Sequence, residues 1–231
     1  MLVSVVIPTL NEAESIVRTL AAAREGYTDQ QVELIVADGG SQDGTLDRLP
    51  AGVVGLRSPR GRARQMNAGA KVARGQVLVF CHGDTLLPHG WREAILDALS
   101  DSRVSGGAFQ VKLEPAAGIL HWTNRLRLPP VWQITMGDQV QFMRREVFDQ
   151  IGGFPDIPLM EDIEMSRSLH RQGRLVRLPL RVTTSSRRFV ERGPWRQWWL
   201  SARCLVRYVW FGATPQEIAA VYRSSREEAV S

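Results

Sequence analysis

The first half of the chain alternates short apolar runs with segments in which apolar residues recur at helical spacing. The apolar runs predict strands at 3–7, 32–37, 53–56 and 77–80. Helices are predicted from about Glu12 with Asn11 as N-cap, near Ser41 or Asp43, and over 63–73. Strands that alternate with helices are typical of βαβ units, so we expect a parallel sheet with right-handed crossovers.

The second half lacks this regularity. Residues 106–113 alternate between apolar and polar positions, which predicts an antiparallel or mixed strand. Further strands are predicted at 139–143 and 175–184, and helical segments at 145–150 and 160–172. Residues 114–137 look irregular and contain Trp122, Pro129-Pro130 and Trp132. No repeat or linker divides the chain, so we predict one α/β domain over 1–231 whose halves share a site.

The composition is that of an ordinary globular protein, with 44% hydrophobic and 23% charged residues among 231. The two cysteines, Cys81 and Cys204, fall in apolar segments, so we expect core thiols and neither a disulfide nor a zinc site. The N-terminus enters a strand without a charged leader, and no apolar run approaches ~18 residues. The expectation is a cytoplasmic protein.

The formal net charge of +5 predicts an anionic partner, either a nucleotide diphosphate, a membrane surface or nucleic acid. Nucleic acid is the weakest of the three, because the chain holds no recognisable nucleic-acid module. Residues 194–211 form an amphipathic segment with tryptophans on one face and arginines elsewhere. Two alternatives stay open for this helix: a core or homo-oligomer contact, and a peripheral membrane contact.

Polar residues follow the predicted parallel strands at the point where each strand ends. They are Pro8-Thr9-Leu10-Asn11-Glu12, Asp38-Gly39 with Asp43, Arg64 with Asn67, and His82-Gly83-Asp84. The carboxyl ends of parallel strands lie at the same edge of the sheet, and open α/β sheets bind their ligands at that edge. The backbone N–H groups of turns there can bind the oxygens of phosphates. Each motif alone is also a common turn. Taken alone, Asp84 is either a metal ligand or the N-cap of a helix near Trp91.

Two groups in the second half are candidates for chemistry. Glu161-Asp162 begins a predicted helix, where carboxylates also favour the positive end of the helix dipole. One positioned carboxylate is enough to act as a general base. Asp138 either binds an acceptor hydroxyl or makes a turn, and Arg187 and Arg188 either close over a diphosphate or face solvent.

These motifs, in this order, resemble the family 2 glycosyltransferases of the GT-A fold over nearly the whole chain. The resemblance implies a Rossmann-like, mostly parallel central sheet flanked by helices, with a mixed or antiparallel half on the acceptor side. Residues 1–100 would then bind the nucleotide sugar, 101–190 would hold the acceptor and the catalytic base, and 191–231 would form a C-terminal amphipathic helical segment.

The resemblance also implies roles for single residues. Thr9 and Asp38 would line the base pocket, Arg64 and Asn67 would lie near ribose or phosphate, and Asp84 would bind Mn²⁺ or Mg²⁺ at the diphosphate. Asp162 would be the general base of an inverting transfer from a nucleotide-diphosphate sugar, a UDP-sugar first, to an unidentified hydroxyl acceptor. Glu161 would orient the acceptor or its loop.

The chain departs from the family where a carboxylate usually stands two residues before Asp84, because that position is His82. Imidazole suits Mn²⁺ better than Mg²⁺. Because of this departure, an alternative to a glycosyltransferase stays open: a protein that binds a nucleotide sugar but does not catalyse its transfer. The His82-Gly83-Asp84 turn, with Asp138 and Glu161-Asp162, also resembles a subfamily labelled radical-SAM/selenodomain-associated or arsenosugar-biosynthesis transferases, a label that identifies no acceptor.

Overall fold

The computed structural model describes residues 1–116, 118–120, 124 and 137–227, and the side chains of 188, 192 and 223–227 fall outside that description. The strands are β1 Val3–Thr9, β2 Val32–Asp38, β3 Val53–Arg57, β4 Val77–Phe80, β5 Thr85–Leu86, β6 Val104–Glu114, β7 Gln141–Arg144 and β8 Arg174–Ser185. They form a single sheet in the order β3-β2-β1-β4-β7-β6-β8-β5.

The helices are α1 Ile16–Arg24, α2 Arg62–Val72, α3 Trp91–Ala98, α4 Arg145–Ile151, α5 Glu161–Gln172, α6 Arg187–Arg192, α7 Pro194–Trp210 and α8 Pro215–Glu227. In the described part of the chain, 3₁₀ turns lie at Leu46–Arg48 and Gly137–Gln139. No helix within the described ranges has both the length and the apolarity that a membrane crossing requires.

The predicted change of character between the two halves is confirmed. β1, β2, β3 and β4 pair in parallel, whereas β7 runs antiparallel to both β4 and β6. β6 and β8 are again parallel, and the short β5 closes the order antiparallel to β8. The sheet is therefore mixed on its second side, as expected for an α/β fold of this kind.

Helices cover both faces of the sheet, which explains the unbroken apolar runs. All seven residues of β1 are buried. Val5 and Ile7 belong to a core that includes residues of α1 and α3, while Val6 faces the other core with residues of α2 and α4. A strand buried on both faces needs apolar side chains at consecutive positions, and that is what the sequence supplies. Cys81 and Cys204 are both buried free thiols, as predicted.

Several local expectations were wrong. Strand β1 does not end at Ile7 but continues to Thr9, and α1 begins at Ile16 and not near Glu12. Asn11 has a φ of 56°, so it is not a helix N-cap; its side chain accepts a hydrogen bond from Gln42 N–H at 2.9 Å. The short helix predicted near Ser41 or Asp43 is the 3₁₀ turn at Leu46–Arg48. Trp122, Pro129, Pro130 and Trp132 lie outside the described residues.

Gly69 allows α2 to lie against β1. A Cβ at this position would overlap Cγ1 of the fully buried Val6. We therefore expect Gly69→Ala to lower the free energy of unfolding by about 1–3 kcal/mol, although alanine favours a helix by about 1 kcal/mol over glycine. Urea denaturation measures the change. The control is Lys71→Ala on the exposed side of the same helix, and a Gly69→Ala variant as stable as the wild type would contradict the prediction.

Candidate active site

The carboxyl ends of the central strands meet at one edge of the sheet. In the parallel register Thr9 lies opposite Asp38, and Val6 lies opposite Phe80, the last residue of β4. Cys81 N–H then bonds the Val6 carbonyl at 3.0 Å, so the turn 82–84 leaves β4 beside the end of β1. The structure thus brings together the ends of β1, β2 and β4, where the sequence places its polar motifs.

Asp38 is buried, and its carboxylate organises the turn that follows β2. Oδ2 accepts hydrogen bonds from the N–H groups of Gly40 and Ser41, both at 2.9 Å. The Ser41 hydroxyl donates to Oδ1, and the Thr9 hydroxyl lies 3.4 Å from the same oxygen. Both carboxylate oxygens therefore fix the edge of the predicted base pocket.

The loops after β1 and β2 are joined by hydrogen bonds. Asn11 N–H donates to Ser41 Oγ at 2.8 Å, and Ala13 N–H donates to Asp43 Oδ2 at 2.9 Å. The Thr45 hydroxyl and the backbone bonds of Ala13 and Thr45 lower the pKa of the Asp43 carboxyl. Asp43 therefore stays ionised and holds the two loops side by side, which is a structural role next to the predicted nucleotide site.

Side chains of helix α2 form hydrogen bonds with the ends of β1 and β2 and with the loop after α4. Gln65 Nε2 donates to the carbonyls of Thr9 at 2.7 Å and Ala37 at 2.9 Å. Asn67 bonds both backbone groups of Phe154, through Nδ2 at 2.8 Å and Oδ1 at 2.9 Å. Arg64 Nε donates to Asp156 at 2.8 Å. The structure thus places Arg64 and Asn67, which we expected near ribose or phosphate, in bonds with the 154–156 loop.

A pocket lies at this edge, between α2, the end of β4 and the start of α5. Its walls are Arg62, Met66, Phe80, His82, Gln141, Glu161 and Asp162. Arg62 Nε forms an ion pair with Oε1 of the buried Glu161. Arg62 Nη1 lies 3.5 Å from His82 Nε2. One guanidinium therefore connects the turn after β4 with the acidic start of α5.

The charges in this pocket depend on one another. Burial opposes the charge on Arg62, but Glu161 and Asp162 outweigh it and raise the pKa of the guanidinium. Burial raises the pKa of the Glu161 carboxyl; Arg62 opposes this rise and Asp162 adds to it. Arg62 is thus a permanent cation at the centre of the pocket, next to two carboxylates.

Asp162 lies in the first turn of α5 and is buried at the pocket wall. Its Oδ1 accepts a hydrogen bond from Ile163 N–H at 2.8 Å. Gln141 Nε2 donates to the Asp162 carbonyl at 2.8 Å and to Ser166 Oγ at 3.0 Å. These bonds from β7 fix the start of α5 and therefore the position of the Asp162 carboxylate.

Sequence reasoning missed Arg62 and Gln141. Arg62 begins α2 and follows β3 after a short turn, so it belongs to the same sheet edge as the motifs that were recognised. Gln141 is a buried polar residue that begins the strand Gln141–Arg144 and precedes the apolar pair Phe142-Met143. An amide residue directly before an apolar pair in a predicted strand was the available signal for Gln141.

Asp138 lies beside this pocket in a 3₁₀ turn. Its Oδ1 is buried and has no hydrogen-bond partner among the described residues. Burial and the neighbouring Asp162 raise the pKa of Asp138 to about 6, and Arg62 limits the rise. Burial lowers the pKa of Arg177 on β8, and Asp138 opposes that change. Near neutral pH Asp138 is therefore closer to its protonated form than an exposed aspartate is.

This raised pKa gives a prediction for stability. Between its ordinary value of 3.8 and about 6, Asp138 holds a proton in the folded state that it releases on unfolding. Its contribution to the free energy of unfolding is therefore greatest at low pH and falls as pH rises through about 6. At about pH 8, Asp138→Asn should be more stable than the wild type by up to about 3 kcal/mol, and at about pH 4 the two should agree. Denaturation at both pH values measures the difference.

The control for this prediction is Asp97→Asn, which changes an exposed aspartate of α3. Asp97→Asn should leave the difference between the two pH values unchanged. An Asp138→Asn variant that is less stable than the wild type at both pH values would contradict the burial argument.

Asp84 lies in the turn after β4 and is separated from α3 by β5. Helix α3 begins at Trp91 with Gly90 before it, so the reading of Asp84 as its N-cap was wrong. The hydroxyls of Thr85 and Thr184 lie 3.4 and 3.5 Å from Asp84 Oδ1, and they bond each other at 2.7 Å. These long contacts leave the carboxylate available to an external ligand.

Arg187 reaches the same edge from α6. Its Nη2 lies 3.7 Å from Glu12 Oε2, and Glu12 in turn packs near Gly83, where a Cβ would lie 3.1 Å from Glu12 Cγ. The side chain of Arg188 lies outside the description. The structure therefore brings Arg187 next to the turn that carries Asp84.

Comparison with known proteins gives a consistent picture. Residues 4–154 match the family model described as Glycosyl transferase family 2. The chain is 36% identical over 93 residues to the uncharacterized glycosyltransferase YfnE of Bacillus subtilis, covering 37% of this chain and 24% of that protein. It is 28% identical over 171 residues to the glycosyltransferase AglE of Haloferax volcanii, covering 67% of this chain and 56% of that protein. The chain thus spans about a quarter and about half the length of these relatives.

Solved structures share the fold. The mannosyltransferase PcManGT of Pyrobaculum calidifontis, in complex with GDP-Man and Mn²⁺, superposes with a TM-score of 0.60 and 24% identity over 78% of this chain and 56% of that one. TarS of S. aureus in complex with UDP-GlcNAc gives a TM-score of 0.62 and 18% identity over 80% of this chain and 59% of that one. At these identities the likeness establishes a GT-A fold.

Proposed function

The chain belongs to glycosyltransferase family 2, and on that premise we propose that it moves a sugar from a nucleotide-diphosphate donor to a hydroxyl acceptor with inversion. The observation that carries the proposal is the Asp162 carboxylate, buried in a pocket with Arg62 and His82 at the carboxyl edge of the sheet. The structural neighbours were solved with UDP-GlcNAc and with GDP-Man, which supports a donor of this class. We propose a UDP-sugar as the first donor to test.

Asp162 is the general base of the proposed reaction. The acceptor hydroxyl gives its proton to the Asp162 carboxylate while its oxygen forms a bond to the anomeric carbon. The bond between that carbon and the diphosphate oxygen breaks, and the nucleoside diphosphate leaves with the electron pair. One base and one stabilised leaving group complete the transfer, so no covalent intermediate is required.

Glu161 is a poorer candidate for the base than Asp162. Its carboxylate is paired with the Arg62 guanidinium, so it is already engaged with a cation. Asp162 has its backbone fixed by Gln141, and its side chain lines the pocket. We assign Glu161 to holding Arg62 in place, where the guanidinium offsets negative charge that enters with the donor.

The donor occupies the adjacent edge in this proposal. Thr9 and Asp38 border the base, the turn amides after β2 and β4 face the phosphates, and Arg187 closes over the diphosphate from α6. Hydrogen bonds made by Asp43, Arg64 and Asn67 hold the neighbouring loops in place in this proposal. Asp138 is proposed to contact the acceptor.

The donor set at the turn after β4 fits a divalent cation held largely by its substrate. Within the described ranges, no cluster of three or more His, Cys, Asp and Glu side chains is arranged to hold a metal. Asp84 offers carboxylate oxygens whose protein contacts are long, and His82 adds an imidazole two residues away. Such a set suits Mn²⁺, with phosphates and water as further ligands. When bound there, the cation would offset the charge that develops on the leaving diphosphate.

Turnover of the donor tests the proposal. A panel of UDP- and GDP-sugars with Mn²⁺ should include one whose nucleotide is released by the enzyme, by transfer or by slow hydrolysis. The same donor should raise the melting temperature of the protein, because a ligand that binds only the folded state stabilises it. A donor that stabilises the protein but is never turned over would favour the silent binding protein instead. The likeness to the radical-SAM-associated transferases rests on motifs alone and adds no acceptor to the proposal.

A further inference from the structure

The outward face of α7 exposes large aromatic side chains. Trp195, Trp199 and Trp210 are 59%, 64% and 60% exposed, and Phe211, directly after the helix, is 77% exposed. Val206 on the same face is also exposed. Four aromatic rings in water along one helix and its end form a patch of the kind that marks a docking surface. Of the alternatives that the sequence left open for this helix, burial of these three tryptophans in the core of the chain is excluded, whereas the homo-oligomer and membrane contacts are not.

The orientation of α7 is fixed by its opposite face. Cys204 and Tyr208 are buried in a cluster with Ile163 of α5 and Ile218 of α8. The Tyr208 hydroxyl donates to Glu164 Oε1 at 2.6 Å, and Gln197 Nε2 donates to the Tyr222 hydroxyl at 2.8 Å. The inner contacts of α7 are thus made by Cys204, Tyr208 and Gln197, with Leu200, Leu205 and Val209 packed against the same cluster, and the exposed tryptophans lie on the other side of the helix.

Positive charge accompanies the exposed rings. Arg196 and Arg203 are exposed and follow Trp195 and Ala202 around the helix, which places them along one flank of the aromatic face. Residues 187–210 contain six arginines and one acidic residue, Glu191. This segment alone accounts for the formal net charge of +5 of the whole chain. The aromatic face is thus bordered along one flank by the exposed, positively charged side chains of Arg196 and Arg203.

We propose that the outward face of α7 binds the surface of an anionic lipid bilayer, with the helix lying in the plane of the interface. Tryptophan rings favour the boundary between headgroups and acyl chains, and arginines beside them are attracted by anionic lipids. A second copy of the chain is a poorer occupant, because a symmetric contact through this face would bring the two arginine clusters together. The proposal does not depend on the catalytic one.

Vesicle binding tests this surface with the full chain. The protein should sediment with vesicles of phosphatidylcholine mixed with phosphatidylglycerol, and much less with phosphatidylcholine alone. Tryptophan emission should shift to the blue on binding. The double variant Trp199→Ala/Trp210→Ala should lower the partition coefficient about 10-fold or more. Arg196→Gln/Arg203→Gln should lower it by about 10- to 30-fold on the anionic vesicles, and added salt should mimic this change.

Two controls separate this surface from other causes. Val54→Ala and Val72→Ala remove exposed apolar side chains elsewhere on the protein and should leave vesicle binding unchanged. The melting temperature and far-UV circular dichroism of the tryptophan variant should match those of the wild type, so a loss of binding does not reflect misfolding. No sedimentation of the wild type with anionic vesicles would overturn the proposal. So would a concentration-dependent dimer that disappears in the tryptophan variant, because the occupant would then be a second copy.

Discussion

Replacing Asp162 with asparagine is expected to lower kcat for sugar transfer by about 10²- to 10⁴-fold, the usual contribution of a general base. Donor affinity should stay within about twofold of the wild type, because the proposed donor contacts come from other residues. Asparagine has almost the same shape as aspartate, and its amide oxygen still accepts the bond from Ile163 N–H. Steady-state transfer rates and a donor titration on the same preparation measure both quantities.

Glu164→Gln is the matched control for this prediction. Glu164 lies two residues further along α5, where it accepts hydrogen bonds from Arg167 and Tyr208 outside the pocket. Its replacement should change kcat by less than about threefold, because the contacts that it loses lie outside the pocket. An Asp162→Asn enzyme with full activity would contradict the assignment of the base, and equal losses in the two variants would point to a general effect on α5.

The sheet was largely predictable because its apolar runs are continuous. A strand buried on both faces needs a continuous apolar run, and β4 is apolar along its whole length, while β2 is apolar over Leu34-Ile35-Val36-Ala37. The start of α1 was not predictable in the same way. Asn11 adopts a left-handed backbone and bonds Gln42 from the next loop, a contact between residues 31 positions apart. Local propensity contains no information about such a contact.

The residues of the candidate site differ in the same way. Those that follow a strand were recognised as candidates, because the end of a parallel strand places a residue at the edge of the sheet. Arg62 was not found, because its importance comes from a partner 99 positions away, Glu161. Gln141 is similar: it matters through the backbone of Asp162, which only the packing of β7 against α5 brings near.

Helix α7 illustrates the limit of amphipathic patterns. The sequence predicts a helix over this segment, and the structure confirms one at Pro194–Trp210. A pattern does not determine which face is buried when both sides of the helix carry apolar or aromatic residues, as they do here with Leu200 and Leu205 on the inner side. Here Cys204 and Tyr208 pack inward, and the tryptophans remain outside.

Replacing Asp84 with asparagine is expected to lower kcat/KM by about 100-fold or more, because a cation at a leaving diphosphate contributes several kcal/mol to the transition state. The variant should also lose the dependence of activity on added Mn²⁺. An amide oxygen still bonds a neighbouring hydroxyl, so the turn beside Thr85 and Thr184 should keep its structure. Transfer rates over a Mn²⁺ titration measure both effects, and the melting temperature without ligand checks the fold.

The contributions of Asp84 and His82 to binding of the cation can be separated by comparing Asp84→Asn with His82→Ala. His82 Nε2 lies 3.5 Å from Arg62 Nη1, so its position is explained by the pocket without any cation. If Asp84 is the main protein ligand, His82→Ala should lower Mn²⁺ affinity less than Asp84→Asn does, by about 10-fold or less. Thr184→Val is the control, because it removes a hydroxyl 3.5 Å from Asp84 without touching the carboxylate. Equal losses of Mn²⁺ affinity in the two variants would mean that the imidazole of His82 and the carboxylate of Asp84 bind the ion together. An Asp84→Asn enzyme whose activity still depends on Mn²⁺ would mean that the substrate alone holds the ion.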